Sequence, residues 1–173
     1  MINKSRNTLH YLLTILSILM LVSVDFFSKD FMLNSFFYDK EFFIRKSTIY
    51  KNFLGTSLSL LLTFNKGAAF GWFSKYQGIL LVARLLVTLG IFIYLLLVKS
   101  SKLLKISLIL IISGAIGNII DFLLYGYVID FISFEILSYR FPVFNFADCF
   151  ISIGTILLVI SFIKKNNMKK NMN

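Results

Sequence analysis

The sequence predicts an all-α membrane protein with four transmembrane helices and a small extracytoplasmic β-containing segment between the first and second helices. Four apolar runs are each long enough to cross a bilayer, since about 20 helical residues span its hydrocarbon core. Basic residues cluster at the ends of these runs, a pattern typical of membrane topology and of contact with anionic lipids. The composition is 58% hydrophobic and the mean hydropathy is +0.83, both too high for an ordinary soluble domain.

Composition also narrows the possible partners and chemistry. In a soluble chain the net charge of +10 would suggest nucleic acid, but here the positive charges flank apolar runs, so we expect no nucleic-acid partner. The single cysteine, Cys149, excludes an intrachain disulfide. The single histidine, His10, excludes a multi-histidine metal site and a serine–histidine triad drawn from the interior. We therefore expect no metal and no cofactor.

The first helix is predicted over about residues 11–29. A basic start followed by an apolar run is also typical of a cleaved signal peptide, but residues 22–24 (Val-Ser-Val) make a poor cleavage site. Asp25 and Lys29 then follow at i, i+4 spacing, which indicates that the helix continues through them. This segment is therefore expected to be a transmembrane helix.

Residues 30–77 form a mixed segment that is too polar to span a membrane and is assigned to the extracytoplasmic side. Leu58 to Phe64 resembles a strand and ends at a turn signal, Asn65-Lys66-Gly67. Trp72 is suited to the headgroup level of a bilayer. Two interpretations remain open, a solvated loop or a small sheet that rests on the bilayer and covers a site.

The rest of the chain completes a single integral membrane domain over residues 1–173. The second helix carries one charge, Arg84, which either extends to the near interface or pairs with a buried carboxylate. The remaining predicted segments are helices over about residues 78–98, 105–125 and 146–163, and a second extracytoplasmic connection over residues 126–145.

Charge counting predicts where four acidic residues lie. With four spans, the basic N-terminus, the basic hinge between helices two and three and the basic tail share one side, which the positive-inside rule makes cytoplasmic. Asp25, Asp121, Asp130 and Asp148 then converge near the outer membrane surface. A carboxylate in an apolar segment costs about 2.5–3.5 kcal/mol at the bilayer centre, so such residues usually have a function.

Paired carboxylates suggest a chemistry for this cluster. Two of them a few Å apart share one proton, so one can activate water while the other polarises a carbonyl, as in aspartic proteases. Asn118 and Asn145 each precede an aspartate by three residues and would share its helix face. The glycines at 114 and 117 would allow close helix contact. The same residues also fit an ion-coupled transporter or a scaffold whose polar groups only connect helices.

Several sequence blocks, in order along nearly the whole chain, resemble the lipoprotein signal peptidase (signal peptidase II) family. Asp25 and Lys29 match an acid and a lysine in that family's first helix. The other matching blocks are residues 65–70 (N-x-G-A-A-F), 114–121 (G-A-x-G-N-x-x-D), 128–131 (V-x-D-F) and 144–148 (F-N-x-A-D).

The resemblance implies a function and a location. It implies an aspartic endopeptidase with Asp130 and Asp148 as the catalytic pair. The substrates would be diacylglyceryl-modified prolipoproteins, cut just before the lipidated cysteine at the outer face of the bacterial inner membrane. Lipids would be the other partners, and a monomer is the simplest expectation. The expected substrate-binding or supporting residues are Asn65, Gly67, Asn118, Asp121, Asn145, Asp25 and Lys29.

Two positions depart from the family pattern. Phe122 stands where the family usually has an arginine directly after the aspartate, and we expect Arg84 or Lys29 to supply the missing charge. Cys149 stands where serine is common, and we interpret it as a small packing residue and not as a nucleophile.

Overall fold

The computed structural model contains four long helices among the residues it describes, which are 2–38, 48–51, 56–66, 76–98, 101–137 and 139–170. Each helix includes a segment long and apolar enough to cross a membrane, which confirms the predicted fold class. The predicted anchor Trp72 and the predicted site residue Gly67 lie outside the described residues. The helices are α1 (Ile2–Tyr38), α2 (Gln77–Leu97), α3 (Lys102–Tyr125) and α4 (Phe146–Lys170).

The first helix is longer than predicted, so the connection after it does not begin at residue 30. We expected the helix to end at about residue 29, where the mixed segment over residues 30–77 begins. The helix instead continues to Tyr38. Lys29 is buried between two carboxylates, which compensates its charge, and Met32 and Leu33 pack in the core directly after it. The last helix likewise runs past the predicted end at 163 through the basic tail to Lys170.

A four-stranded antiparallel sheet joins the two connections in the order β1-β2-β3-β4. The predicted strand over Leu58–Phe64 is present within β2, but the sequence did not predict β3 and β4 in the second connection. Because β2 pairs with β3, the sheet lies at the end of the bundle where α1 ends and α4 begins. The strands are β1 (Thr48–Lys51), β2 (Thr56–Asn65), β3 (Val128–Ile136) and β4 (Tyr139–Arg140).

Helix α3 is the central helix of the bundle. Buried residues make up 44% of its most apolar window, against 11–17% in the other three helices. Ile112 of α3 is fully buried, and around it α1, α2 and α3 form the apolar core. The exposed apolar side chains of α1, α2 and α4 suit contact with lipid, since a bilayer solvates such groups. The core residues are Ile18, Leu95, Leu104, Leu108 and Ile112.

Candidate active site

The structure brings Asp130 and Asp148 together at the junction of the sheet and the bundle. Asp130 lies in β3, three residues into the strand, and is 3% exposed. Asp148 lies in the first turn of α4 and is half-buried. One carboxylate is therefore held by a strand and the other by a helix N-terminus. Both supports are rigid, as a precisely placed pair requires.

The Asn145 side chain connects the Asp130 carboxylate to the backbone of Asp148. Its Nδ2 donates to Asp130 Oδ1 at 2.8 Å, and its Oδ1 accepts a hydrogen bond from the Asp148 backbone N–H at 2.9 Å. The same Nδ2 lies 3.2 Å from the carbonyl oxygen of Ile129. The Asn145 side chain is fully buried, so all of its polar atoms depend on partners within the protein.

The local sequence explains why Asp148 takes this position. Asn145 precedes the first residue of α4 and caps it, because its side chain accepts from the N–H of Asp148. Asp148 Oδ2 in return accepts from the backbone N–H of Asn145 at 3.2 Å. This reciprocal pair has the geometry of a capping box, formed here by an asparagine and an aspartate. The spacing of three residues noted in the sequence is thus also the spacing of a helix cap.

Two further amides complete the polar contacts. Asn65, the last residue of β2, donates through Nδ2 to Asp130 Oδ2 at 3.2 Å. Asn118 of α3 donates through Nδ2 to Asp148 Oδ1 at 2.9 Å and accepts from Asn145 Nδ2 at 3.1 Å. Each predicted asparagine therefore contacts an aspartate of the pair.

Burial and charge change the protonation of Asp130. Its pKa is raised to about 7, first because burial disfavours the ionised form and second because the negative charge of Asp148 is close. The hydrogen bonds from Asn65 and Asn145 and the charge of Lys29 act in the opposite direction. A carboxyl group with this pKa can hold a proton near neutral pH, and so can serve as a general acid.

Asp25, Lys29 and Asp121 form a separate buried cluster beside the pair. Lys29 Nζ lies 2.6 Å from Asp25 Oδ2 and 2.8 Å from Asp121 Oδ2, and none of the three residues is more than 1% exposed. Lys29 therefore supplies a positive charge next to Asp121. Arg84 is half-buried in α2, and the charge of Asp148 is close enough to act on it electrostatically.

Sequence reasoning missed the backbone groups of the site. The N–H of Ile129 donates to Asp121, and the N–H of Ala147 donates to Asp25. No residue type marks a backbone amide, so only the folded arrangement could identify them. Among the described residues, no group of three or more His, Cys, Asp or Glu side chains is placed to hold a metal ion.

Comparison of the sequence with known families finds a match that covers most of the chain. The family model described as signal peptidase (SPase) II matches residues 17–164. The lipoprotein signal peptidase of Chlamydia trachomatis serovar D is 41% identical over 150 residues, which are 84% of this chain and 88% of that protein. That of Chlamydia felis is 54% identical over 99 residues, 56% of this chain and 60% of that protein, so this alignment spans less than two thirds of the relative.

Solved structures show the same fold. A bacterial membrane enzyme determined by the in meso method superposes with a TM-score of 0.74 at 26% identity, over 90% of this chain and 90% of the other. A second bacterial membrane enzyme determined by the same method gives a TM-score of 0.69 at 27% identity, over 87% of this chain and 92% of the other.

Proposed function

Because the chain belongs to the signal peptidase II family, we propose that it is an aspartic endopeptidase that removes signal peptides from diacylglyceryl-modified prolipoproteins. The cut falls just before the lipidated cysteine. The observation that carries this proposal is that one buried residue, Asn145, donates hydrogen bonds to both carboxylates, from its side-chain Nδ2 to Asp130 Oδ1 and from its backbone N–H to Asp148 Oδ2. Two carboxylates held in this way are suited to activate water without a cofactor.

The environments of the two carboxylates support different roles for them. Asp148 accepts hydrogen bonds from Asn118 Nδ2 and the Asn145 N–H and lies at a helix N-terminus, and all three features stabilise a negative charge. Asp130 is more deeply buried, and its pKa of about 7 allows it to keep the shared proton. Asp148 is therefore the general base and Asp130 the general acid.

The reaction then follows from these roles. Asp148 accepts a proton from water as the water oxygen attacks the scissile carbonyl carbon, and Asp130 donates its proton to the carbonyl oxygen. The resulting tetrahedral diol breaks its C–N bond as the leaving amine takes up the proton held by Asp148, and the new carboxyl group returns a proton to the pair. The pair thus ends with the single proton with which it began.

Location of the site at the end of the bundle suits a lipidated substrate. The diacylglyceryl group keeps the substrate in the membrane, so its scissile bond lies near the headgroups. The pair lies where the sheet meets the ends of the apolar helices, at a corresponding depth. We place this end on the outer face, because the N-terminus, the short connection between α2 and α3 and the tail at the end of α4 lie at the opposite end and are basic.

The decisive experiment measures cleavage of a diacylglyceryl-modified prolipoprotein in detergent by the wild type and by Asp130→Asn and Asp148→Asn. Each variant keeps the shape of the side chain, and we expect each to lower kcat/KM by about 10²–10⁴-fold without lowering the melting temperature. A metal chelator should not affect the wild type. The matched control is Asp30→Asn, because Asp30 pairs with Asn34 at the surface of the same bundle, and it should cleave like the wild type.

Two results would contradict the proposal. A folded wild-type protein that does not cleave would exclude the endopeptidase function. A near-normal rate in either variant of the pair would show that the pair is assigned wrongly, and Asp121 would be the next candidate.

A further inference from the structure

The buried cluster of Asp25, Lys29 and Asp121 does more than neutralise charge. Its two carboxylates each accept a hydrogen bond from a backbone N–H. Asp25 Oδ1 accepts from Ala147 at 2.8 Å, and Asp121 Oδ2 accepts from Ile129 at 3.0 Å. Ala147 directly precedes Asp148, and Ile129 directly precedes Asp130. One ion-paired cluster therefore holds the backbone one residue before each carboxylate of the pair.

A third contact reaches the pair through a side chain. Lys29 Nζ donates to Asn118 Oδ1 at 3.2 Å, and Asn118 Nδ2 donates to Asp148 Oδ1 at 2.9 Å. Because the amide oxygen of Asn118 is fixed on Lys29, its NH2 group must face Asp148. The lysine thus fixes the orientation of this amide together with Asn145 Nδ2, which donates to the same oxygen at 3.1 Å.

Stability alone is a weak reason for such a cluster. Three charged side chains that are at most 2% exposed lose their hydration, and replacing a buried ion pair by apolar groups is often neutral or stabilising. A cluster that only joined α1 to α3 would not need to accept hydrogen bonds next to the two aspartates. Where these hydrogen bonds fall points to a positioning role.

We propose that Asp25, Lys29 and Asp121 are positioning residues that set the distance and orientation of Asp130 and Asp148. This inference rests on the proposed function, since it takes these two aspartates as the catalytic pair. Lys29 holds the two carboxylates at a fixed separation, and each carboxylate fixes the backbone from which one catalytic side chain extends. Small misplacements of a reacting group lower the rate of the chemical step, so the effect appears in kcat.

The contacts of Asp121 provide a clean test. A single oxygen, Oδ2, accepts from Ile129 and also pairs with Lys29. In Asp121→Asn the amide oxygen can take that place and keep both contacts, while Lys29 stays balanced by Asp25. In Asp121→Leu the acceptor is lost at similar volume. We expect Asp121→Leu to lower kcat at least about tenfold more than Asp121→Asn does, with KM changed less than about twofold.

Asp25 should respond differently to the same change. Its two carboxylate oxygens have different partners, since Oδ1 accepts a hydrogen bond from the Ala147 N–H and Oδ2 pairs with Lys29. An asparagine at this position must either turn its NH2 group toward the Lys29 ammonium or lose the hydrogen bond from the Ala147 N–H. Asp25→Asn should therefore lower kcat more than Asp121→Asn does. The control for both is Asp30→Leu, at the surface of α1, which should retain wild-type kcat.

A rescue experiment covers the case in which single variants do not fold. Lys29→Met leaves two buried carboxylates without their cation, and we expect it to lose both stability and activity. Adding Asp25→Asn and Asp121→Asn removes those charges but keeps an acceptor for each backbone N–H. If the acceptors position the pair, the triple variant has a kcat at least about tenfold higher than Lys29→Met, measured per folded molecule.

The outcomes separate this inference from the proposed function. If the wild type cleaves and the Asp130→Asn and Asp148→Asn variants do not, the proposed function holds. Asp121→Leu with the kcat of Asp121→Asn would then overturn the positioning role, and so would a triple variant no more active than Lys29→Met. If Asp130→Asn cleaves normally, the proposed function fails, and this inference fails with it.

Discussion

At the scale of single residues, the site depends on amides as much as on acids. Asn145 caps α4, donates to Asp130 and contacts Asn118, so one side chain relates a helix, a strand and a second helix. A buried asparagine offers two donor hydrogens and an acceptor in a fixed plane. An aspartate at 145 could also cap the helix but would add a third negative charge and no donor. The pair therefore specifically requires an amide at this position.

The raised pKa of Asp130 predicts how activity depends on pH. The proposed general acid must be protonated, and its pKa is about 7 because of burial and the charge of Asp148. Activity should therefore fall as pH rises through about 7, and kcat/KM measured from pH 5 to 9 should show this basic limb. A profile flat to pH 9 would contradict the assignment of Asp130 as the acid.

The ionisation of Asp130 should also affect the stability of the fold. Replacing Asp130 by asparagine, which lowers activity, should raise stability at high pH. The pKa of Asp130 is higher in the folded state than its usual value of 3.8. The contribution of Asp130 to folding stability is therefore fully present below pH 3.8 and is lost as the pH rises through about 7. Asp130→Asn cannot ionise. Its melting temperature should exceed that of the wild type at pH 8, and the difference should shrink at lower pH as Asp130 becomes protonated.

At the scale of secondary structure, close contact between α3 and α4 places Asp148. A Cβ at Gly114 would collide with the carbonyl oxygen of Ala147, and a Cβ at Gly117 would lie 2.5 Å from Asp25 Oδ2. The two glycines thus let the first turn of α4 and the carboxylate of Asp25 approach the α3 backbone, which confirms the close packing predicted from their spacing. Helix packing and the ionic cluster meet at one point.

Gly117→Ala tests this close approach. The added methyl must displace the Asp25 carboxylate or separate the helices, and overpacking of this kind usually costs about 1–3 kcal/mol. We expect a lower melting temperature and reduced cleavage. Gly90→Ala is the matched control in α2, where a Cβ would meet no atom within 4 Å, and it should leave both quantities unchanged or raise the melting temperature slightly. Equal effects of the two substitutions would show that the space at Gly117 is not needed.

The elements that could be predicted from the sequence are those with local signals. Apolar length indicated the four helices, and the i, i+4 spacing of Asp25 and Lys29 indicated that the first helix continues through them. Strand β3 was missed because its partner is distant in sequence, with Asp130 aligned opposite Thr63. For the same reason, the residues alone did not separate Asp130 from Asp121. Which of these two acids lies beside Asp148 depends on a strand pairing that no local pattern encodes.

At the scale of the whole molecule, antiparallel helices bring distant polar residues to one end. Lys29 in α1, Asn118 in α3 and Asp148 in α4 are joined by direct hydrogen bonds, although 89 and 30 residues separate the successive partners. The opposite half of the bundle holds the apolar core around Ile112 and the basic segments flank its far end. This polarity favours one orientation of the chain in a membrane over the other.

The orientation can be tested by labelling single cysteines. We expect the sheet end to face outward, because moving the clustered lysines of the other end across the bilayer is unfavourable. In a Cys149→Ser background, the exposed positions Lys66, at the end of β2, and Asn167, near the end of α4, are each changed to cysteine. A membrane-impermeant maleimide should label Lys66→Cys in intact right-side-out vesicles, and should label Asn167→Cys only after permeabilisation.

The background variant should cleave like the wild type, since Cys149 is interpreted as a packing residue. The reverse labelling pattern would place the aspartate pair on the cytoplasmic face, where the outer-face part of the proposed function could not hold.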